Sequence, residues 1–326
     1  METETLLASN WSVLFNLTKR HFLVFFRNKI RMLYTLLVPI IVFVIYLLIL
    51  RNLEGEMLIS QLKDLGLIVD GQWKIAGMEK DCFTMMDFWM LSGILGISAI
   101  TISIQSNNIM VNDKENGVNR DFVSSPINNK VLISSYFLFN FLITFFLCFI
   151  FLLICLVYLL IAGEFTLNIL DFLLILAMLA LACIFSTLFT IFICAFIKRE
   201  PTLASIIAIF SSAVGFLVGA YMPFGLFPKE VESVCCLLPS THNVSLLRYS
   251  FLKNFMVKFE NVYKPQLDVA TYNSLMGKID QFGYNLHFFG NTVTPNIQLL
   301  VVVGSILLFA FLNLFAVRFI SRVEDR

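Results

Sequence analysis

Six long apolar stretches without charged side chains dominate the pattern of this 326-residue chain. A helix needs about 20 apolar residues to cross the hydrocarbon core of a bilayer, which is roughly 30 Å thick. Isolated strands would leave backbone polar groups unpaired in lipid, so each stretch should be a helix. The pattern therefore predicts an all-α membrane protein with six transmembrane helices, at residues 32–50, 88–112, 131–160, 172–197, 201–221 and 297–317.

Polar segments before and between these spans complete one domain, residues 1–326. Residues 9–30 mix aromatic side chains with basic ones, which predicts an amphipathic helix on the membrane surface. Its Lys19, Arg20, Arg27 and Lys29 are expected to reach anionic lipid head groups. The other polar segments are a charged cytoplasmic one at residues 113–130 and two sizeable external ones at residues 51–87 and 222–295. Short helices are expected near residues 54–65, 229–238 and 241–255 of the external segments.

The distribution of basic residues predicts that both termini are cytoplasmic. Lys and Arg gather before the first span, between the second and third, between the fourth and fifth, and after the sixth. The short loop between the third and fourth spans has none, and cytoplasmic loops carry an excess of Lys and Arg. Most remaining basic residues lie in the two long external segments, which count little toward orientation. We therefore expect a multi-pass protein of the plasma membrane.

Composition narrows the classes of function. Hydrophobic residues make up 59% of the chain and charged residues 14%, with a mean hydropathy of +0.85, whereas soluble domains carry about 25% charge. The net charge of +1 argues against a nucleic-acid partner. The chain has no phosphate-binding loop, His-Glu-x-x-His motif or Cys-x-x-Cys motif, so we expect neither an enzyme nor a resident metal or cofactor. The six spans carry no Asp, Glu, Lys, Arg or His, which disfavours an ion-coupled carrier and places the energy source outside this polypeptide.

Three of the seven cysteines lie in the predicted external segments. Either Cys82 pairs with Cys235 or Cys236, or all three are free thiols, and the second interpretation is favoured.

Two motifs resemble those of a known family. The first, after the second span, is Glu115-Asn-Gly117 followed by Asp121-Phe122-Val-Ser-Ser-Pro126. The second, after the fifth span, is Gly219-Ala-Tyr-Met-Pro-Phe-Gly-Leu-Phe-Pro228, with Pro239 and Arg248 further along. Both are similar to segments of the permease subunits of ABC type-2 exporters, in the branch that exports drugs, peptides or lipids. The resemblance covers most of the chain, including the amphipathic helix, the six spans and the order of the loops.

In that family the first segment is a coupling helix that docks on the nucleotide-binding subunit. We expect this helix to start near Asp113 and to be closed by Pro126. The resemblance implies that the ATPase-coupling residues are Glu115, Gly117, Asp121, Phe122 and Pro126. It also implies two permease subunits, identical or related, with a dimer of ABC ATPase subunits that binds ATP and Mg.

The resemblance further implies a substrate path between the permeases, lined by the second and fifth spans. The candidate cavity residues on these spans are Ile97, Thr101, Ser205, Ser212 and Phe216. Gly215 and Gly219 have the spacing that lets helices approach closely, within the chain or in a dimer. After the fifth span, one candidate for an extracellular gate that seals against a second subunit consists of Met222, Pro223, Phe224 and Leu226. The alternative for these four residues is an interfacial turn anchored among head groups.

The function that these expectations favour is ATP-driven export of hydrophobic or amphipathic cargo, such as a drug, an antimicrobial peptide or a lipid. The long external segments argue against a polysaccharide exporter of the simplest kind. The alternative is a membrane receptor or assembly factor that binds a partner through its external loops and transports nothing. An ion channel is disfavoured because no ring of acidic or basic residues marks a pore.

Overall fold

The computed structural model describes the backbone of residues 2–124, 127–163 and 167–320, and most of these residues are helical. The first part of the chain forms α1 (Glu2–Arg27), α2 (Lys29–Ile45) and α3 (Arg51–Asp64). A π-helical turn at Tyr46–Leu50 joins α2 to α3 without interruption. A short antiparallel hairpin follows, in which β1 (Ile68–Val69) pairs with β2 (Gln72–Trp73).

The middle of the chain supplies most of the helical bundle. Its helices are α4 (Met78–Ser106), α5 (Asn108–Glu115), α6 (Val118–Ser124), α7 (Asn129–Ile161), α8 (Ile169–Phe196) and α9 (Glu200–Leu217). The remaining helices are α10 (Lys229–Cys235), α11 (Pro239–Tyr263), α12 (Val269–Gln281) and α13 (Pro295–Ile320). Between α12 and α13, β3 (Leu286–Phe288) pairs antiparallel with β4 (Asn291–Val293).

Six helices of the described residues are long and apolar enough to cross a membrane, which confirms the predicted all-α membrane class. Helix ends differ from the apolar stretches that revealed them. The first spanning helix continues to Asp64, and α4 begins at Met78, ten residues before the predicted span. The apolar pattern locates the part of a helix that suits hydrocarbon, but a helix continues into polar surroundings wherever neighbouring residues support it.

Helix α4 lies at the centre of the bundle. Its most apolar window is entirely buried, whereas only 17% of the corresponding window of α9 and 22% of that of α13 are buried. Helix α11, from the predicted second external segment, packs directly on α4, where Phe88 contacts Phe251 and Phe255 with ring centroids 6.1 and 5.7 Å apart. That segment is therefore partly an element of the core. The exposed sides of α9 and α13 are left for lipid or for another protein.

All seven cysteines lie in the described part of the chain, and each is a buried free thiol. The interpretation of Cys82, Cys235 and Cys236 as unpaired thiols therefore agrees with the structure, and the fold is held together without a disulfide among the described residues.

A buried carboxylate joins the first three spanning helices at the end of α4 nearest the β1–β2 hairpin. Asp87 of α4 is fully buried and accepts hydrogen bonds from the hydroxyl groups of Tyr46 and Tyr158. Arg51 adds bonds from Nε to Oδ1 at 3.0 Å and from Nη2 to Oδ2 at 3.1 Å. Because a buried charge is tolerated only with good partners, this cluster fixes the spacing of the three helices.

We expect the substitution Asp87→Asn to destabilise the protein by about 3–5 kcal/mol, because it leaves Arg51 without its buried counter-charge. Thermal unfolding of the purified protein in detergent measures the effect as a lower melting temperature. The control is Asp64→Asn, which makes the same chemical change at an exposed position at the end of α3. Equal melting temperatures of the two variants would contradict this role of Asp87.

Candidate functional site

Most of the predicted coupling residues belong to two short helices, α5 and α6, which follow α4. One break in the helical backbone separates α4 from α5, and a second separates α5 from α6. The first break is at Asn107, and the second is at Gly117, whose φ of +74° lies in the left-handed region that favours glycine. We call residues 108–124 the α5–α6 segment. The single helix expected from near Asp113 to Pro126 is thus corrected to two short helices. Pro126 itself lies outside the described residues.

Asp113 provides a buried carboxylate in the α5–α6 segment, with 4% of the residue exposed. Arg20 of α1 donates two hydrogen bonds to it, from Nη1 to Oδ2 and from Nη2 to Oδ1, both 2.8 Å long. Tyr136 of α7 donates a third from its hydroxyl group at 2.6 Å. A bidentate arginine–carboxylate pair fixes orientation as well as distance. Asp113 therefore fastens α5 to both α1 and α7.

Aromatic side chains surround this ion pair. The ring of His21 stacks on that of Tyr136, with centroids 4.2 Å apart, and its Nε2 lies 3.1 Å from Oγ of Ser135. Burial lowers the pKa of His21 to about 4, so the ring is neutral at physiological pH. The hydrogen bonds to its carboxylate partner raise the pKa of Arg20. The guanidinium of Arg20 also lies over Phe122, 5.3 Å from the ring centroid, and so connects α1 to α6.

Two neighbouring residues of α5 hold the connection between α8 and α9. Lys114 donates from Nζ to the carbonyl oxygens of Cys194 and Ala195, each at 2.8 Å, where a cation complements the negative end of α8. Oε2 of Glu115 accepts a 2.6 Å hydrogen bond from the backbone N–H of Glu200, the first residue of α9. A carboxylate at that end complements the positive end of the helix. A displacement of α5 would therefore act on both helices.

The predicted coupling residues differ in where their side chains lie. Glu115 is exposed and binds the start of α9, Gly117 forms the turn between α5 and α6, and half-buried Phe122 contacts α1. Asp121 is exposed, and its carboxylate has no hydrogen-bond or ion-pair partner in the part of the chain that the structure describes. Of these residues, Asp121 thus presents a carboxylate that can contact another molecule.

The residues that anchor this segment were missed by the sequence reasoning. Asp113 was interpreted only as the start of a polar segment, and Arg20 was assigned to lipid head groups, whereas the two residues bind each other. Lys114 was counted only toward orientation. A usable signal was present, because Asp113 and Lys114 are the first charged residues after the long uncharged second span. Charged groups next to hydrocarbon need partners.

A buried network of hydroxyl and amide groups holds the break between α4 and α5 in place against α7 and α8. Ser103 of α4 donates to Oδ1 of Asn140 at 2.8 Å, and its hydroxyl group lies 2.7 Å from that of Thr190. Asn140 returns a 2.8 Å bond from Nδ2 to the carbonyl oxygen of Ser103. Asn107, at the break itself, donates to the hydroxyl oxygen of Thr190 at 2.7 Å. The break is thereby fixed to α7 and α8.

A polar cleft of about 560 Å³ opens between α5 and the first turns of α9. The side chains that give it its polarity are Asn108, Asn112, Glu115, Asn116 and Glu200. Leu203 and Ile207 of α9 form part of its apolar wall. The cleft thus places amide and carboxylate groups beside the N-terminal end of α9, which is largely exposed.

The five predicted cavity residues are not brought together within one chain. Ile97 and Thr101 are buried on α4 and border a void of only about 10 Å³. Ser205, Ser212 and Phe216 are exposed on α9. A single chain therefore does not enclose a cavity formed by these five residues, and the path expected between two permeases stays a prediction.

The two glycines of the predicted packing motif do not share one helical face. Helix α9 ends at Leu217, and Gly219 lies beyond it with φ of +65°. A Cβ atom at Gly215 would lie 2.0 Å from the ring of Tyr221, and one at Gly219 would lie 2.5 Å from the ring of Phe224. Each glycine therefore makes room for an aromatic ring of its own chain, which corrects the expectation of a shared face.

The turn after α9 is folded onto its own chain. Phe224 is 3% exposed and packs in a cluster with Cys235, Cys236 and Leu286. Its ring therefore does not offer a surface for sealing against a second subunit, which corrects the expectation for this residue. Of the other predicted gate residues, Pro223 is buried, Met222 is half-buried and Leu226 is exposed.

A buried arginine fixes this turn to the bundle. Arg248 of α11 donates from Nη2 to the carbonyl oxygen of Gly219 at 2.9 Å and from Nη1 to that of Gly283 at 3.2 Å. Its guanidinium also stacks over Trp89 of α4, 4.5 Å from the ring centroid. Arg248 thus connects the end of α9 to the central helix.

Comparison with known proteins gives one family match. The family described as "ABC-2 type transporter" matches residues 12–252, which is well over half of the chain. The matched region begins in α1 and ends in α11, and so includes the whole α5–α6 segment. No curated protein matches the chain.

We expect Asp113→Asn to lower the free energy of unfolding by about 1.5–3 kcal/mol, because it weakens charge-assisted hydrogen bonds and leaves Arg20 unpaired. Asp121→Asn makes the same change at an exposed position of the same segment and should stay within about 0.5 kcal/mol of the wild type. Thermal unfolding in detergent compares the two. If both variants melt at the same temperature as the wild type, Asp113 does not anchor the segment.

Gly219→Ala should destabilise the protein by about 1–3 kcal/mol, because the new Cβ meets Phe224 and the backbone has a positive φ. Gly277→Ala is the control, since nothing lies within 4 Å of its Cβ position in α12 and alanine favours a helix. The control should melt at the same temperature as the wild type or slightly higher. A stable Gly219→Ala variant would show that the turn can move away from Phe224.

Proposed function

This chain belongs to the ABC-2 type transporter family, and we propose on that premise that it is the permease of an ATP-driven exporter of hydrophobic or amphipathic cargo. Membership of the family makes it the transmembrane subunit of an ABC transporter. The observation that carries the finer proposal is the α5–α6 segment, which is fixed to four spanning or interfacial helices and presents the exposed carboxylate of Asp121.

In the proposed mechanism, this segment transmits the motion of an ATPase subunit to the bundle. A force on α6 reaches α1 through Phe122 and Arg20, whereas a force on α5 reaches α1 and α7 through Asp113. A force on α5 reaches the α8–α9 connection through Lys114 and Glu115. Because these hydrogen bonds are short and each joins the segment to another helix, a displacement at the surface would move helices rather than bend one loop.

The ATPase is expected to be a separate polypeptide. The chain carries no phosphate-binding loop, so in the proposed complex ATP and Mg bind to a dimer of ABC ATPase subunits. The α5–α6 segment would then face the cytoplasm, together with both termini, as the distribution of basic residues favours.

The exposed face of α9 supports an assembly of two permeases, identical or related. Ser205 and Ser212 lie on this face, and each donates its hydroxyl group to a backbone carbonyl of α9, at 3.1 Å and 3.0 Å. The face is therefore mainly apolar and carries no fixed charge. Paired with a second permease, it would border a path that selects cargo by shape and apolar area, as is typical of apolar binding sites.

Charge reversal tests the proposed docking. The chain is purified with an affinity tag from the organism that encodes it, and the co-purifying ATPase subunit is quantified. We expect Asp121→Lys to remove most of that ATPase, because a reversed charge at an interface costs several kcal/mol. Glu56→Lys reverses an exposed charge on α3, away from the α5–α6 segment, and should retain it.

The same experiment separates the alternatives. If the wild-type chain brings down no ATPase, the exporter proposal is wrong and a receptor or assembly factor remains. If the wild type brings down an ATPase and Asp121→Lys does so equally well, the exporter survives, but the docking site lies elsewhere on the chain.

A further inference from the structure

The corner between α1 and α2 borders a cleft of about 670 Å³ that the proposed transport function does not use. Asn112 of α5 forms the opposite wall. The other residues that line the cleft come from the end of α1, the start of α2 and the residue between them, and are Val24, Arg27, Asn28, Lys29 and Ile30. The cleft thus lies between the interfacial helix and the α5–α6 segment.

The cleft carries positive charge without a counter-charge. Arg27 and Lys29 are exposed, and in the part of the chain that the structure describes neither side chain forms an ion pair or hydrogen bond. Arg20, about two helical turns earlier on α1, is by contrast bound to Asp113. None of the lining residues is acidic. Two exposed cations in a lining that contains no acidic residue attract an anion.

The surroundings of the cleft are apolar, which limits the kind of anion. Val24 is 37% exposed and Ile30 is 66% exposed at the cleft itself. Leu23 and Phe26, on the same turn of α1, are 62% and 45% exposed. An amphiphile that joins an anionic group to acyl chains satisfies both the cations and these side chains, whereas a free inorganic anion satisfies only the cations.

We propose that this cleft binds the phosphate of an anionic phospholipid head group between Arg27, Lys29 and Asn112. The proposal rests on the orientation proposed above, in which α1 lies on the inner membrane surface. Asn112 donates a hydrogen bond to Glu200 of α9 and accepts one of 2.7 Å from Asn116, and it also lines the α5–α9 cleft. A bound head group would therefore join the α1–α2 corner to the segment that receives the ATPase, so coupling would depend on lipid charge.

The test measures lipid retention directly and needs no transport. The full chain is extracted from membranes that contain phosphatidylglycerol and phosphatidylcholine, and native mass spectrometry counts the lipids that stay bound. Each Lys or Arg at an anionic surface contributes roughly a fivefold gain in binding. We expect the double variant Arg27→Gln/Lys29→Gln to retain phosphatidylglycerol about 25-fold less well, with phosphatidylcholine unchanged.

Two further variants make the result decisive. Lys130→Gln/Arg199→Gln removes the same charge from an exposed lysine and an exposed arginine outside the cleft and should keep phosphatidylglycerol. Arg27→Lys/Lys29→Arg keeps both charges and should retain it as well, which shows that the corner is folded. Equal losses in both neutralised variants, or no loss in either, would overturn the proposal. Displacement of the lipid by inorganic phosphate would also overturn it, in favour of a site for free phosphate. Failure of ATPase co-purification would leave this binding result untouched.

Discussion

The buried carboxylate of Asp113 is the constraint on which the arrangement of the α5–α6 segment depends. A charge removed from water costs several kcal/mol unless close partners replace the lost hydration. Its partners, Arg20 and Tyr136, come from α1 and α7, far apart along the chain. The carboxylate therefore cannot keep its low energy unless an interfacial helix, a spanning helix and α5 meet at one point. Lys114 and Glu115 extend the same requirement to α8 and α9.

The opposite end of α4 is fixed by the same kind of interaction, with different residues. Asp87 binds Tyr46, Tyr158 and Arg51, while Trp89 packs under the guanidinium of Arg248. Near the Ser106 end of α4, the network around Ser103 holds α4 to α7 and α8 with uncharged hydrogen bonds. The central helix is thus held near both ends and buried along its most apolar part, whereas only 17% of the most apolar window of α9 is buried. Relative motion is then expected between α9 and the rest of the bundle.

What could be predicted from the sequence follows from how local each feature is. The six spans were found because the length of an uncharged stretch is a local property that hydrocarbon thickness selects. The pairing of Arg20 with Asp113 was not, because it joins residues 93 positions apart. The burial of Phe224 depends on a positive φ at Gly219, which no apolar pattern indicates. Helix α12 and the two hairpins were not predicted either, since polar and aromatic residues alternate there without a clear period.

The position of α9 relative to the bilayer follows from its two ends. Its 18 residues span about 27 Å at 1.5 Å per residue, close to the thickness of the hydrocarbon core. Glu200 and the amide-lined cleft at its start cannot face hydrocarbon without a large cost. They therefore mark one membrane surface, and the turn around Gly219 marks the other. Because the helix has no spare length, a tilt of α9 must displace either the cleft or that turn, and Arg248 resists the second through its bond to Gly219. A motion that begins at the α5–α6 segment would thus displace the N-terminal end of α9, next to the polar cleft, before it displaces the turn around Gly219.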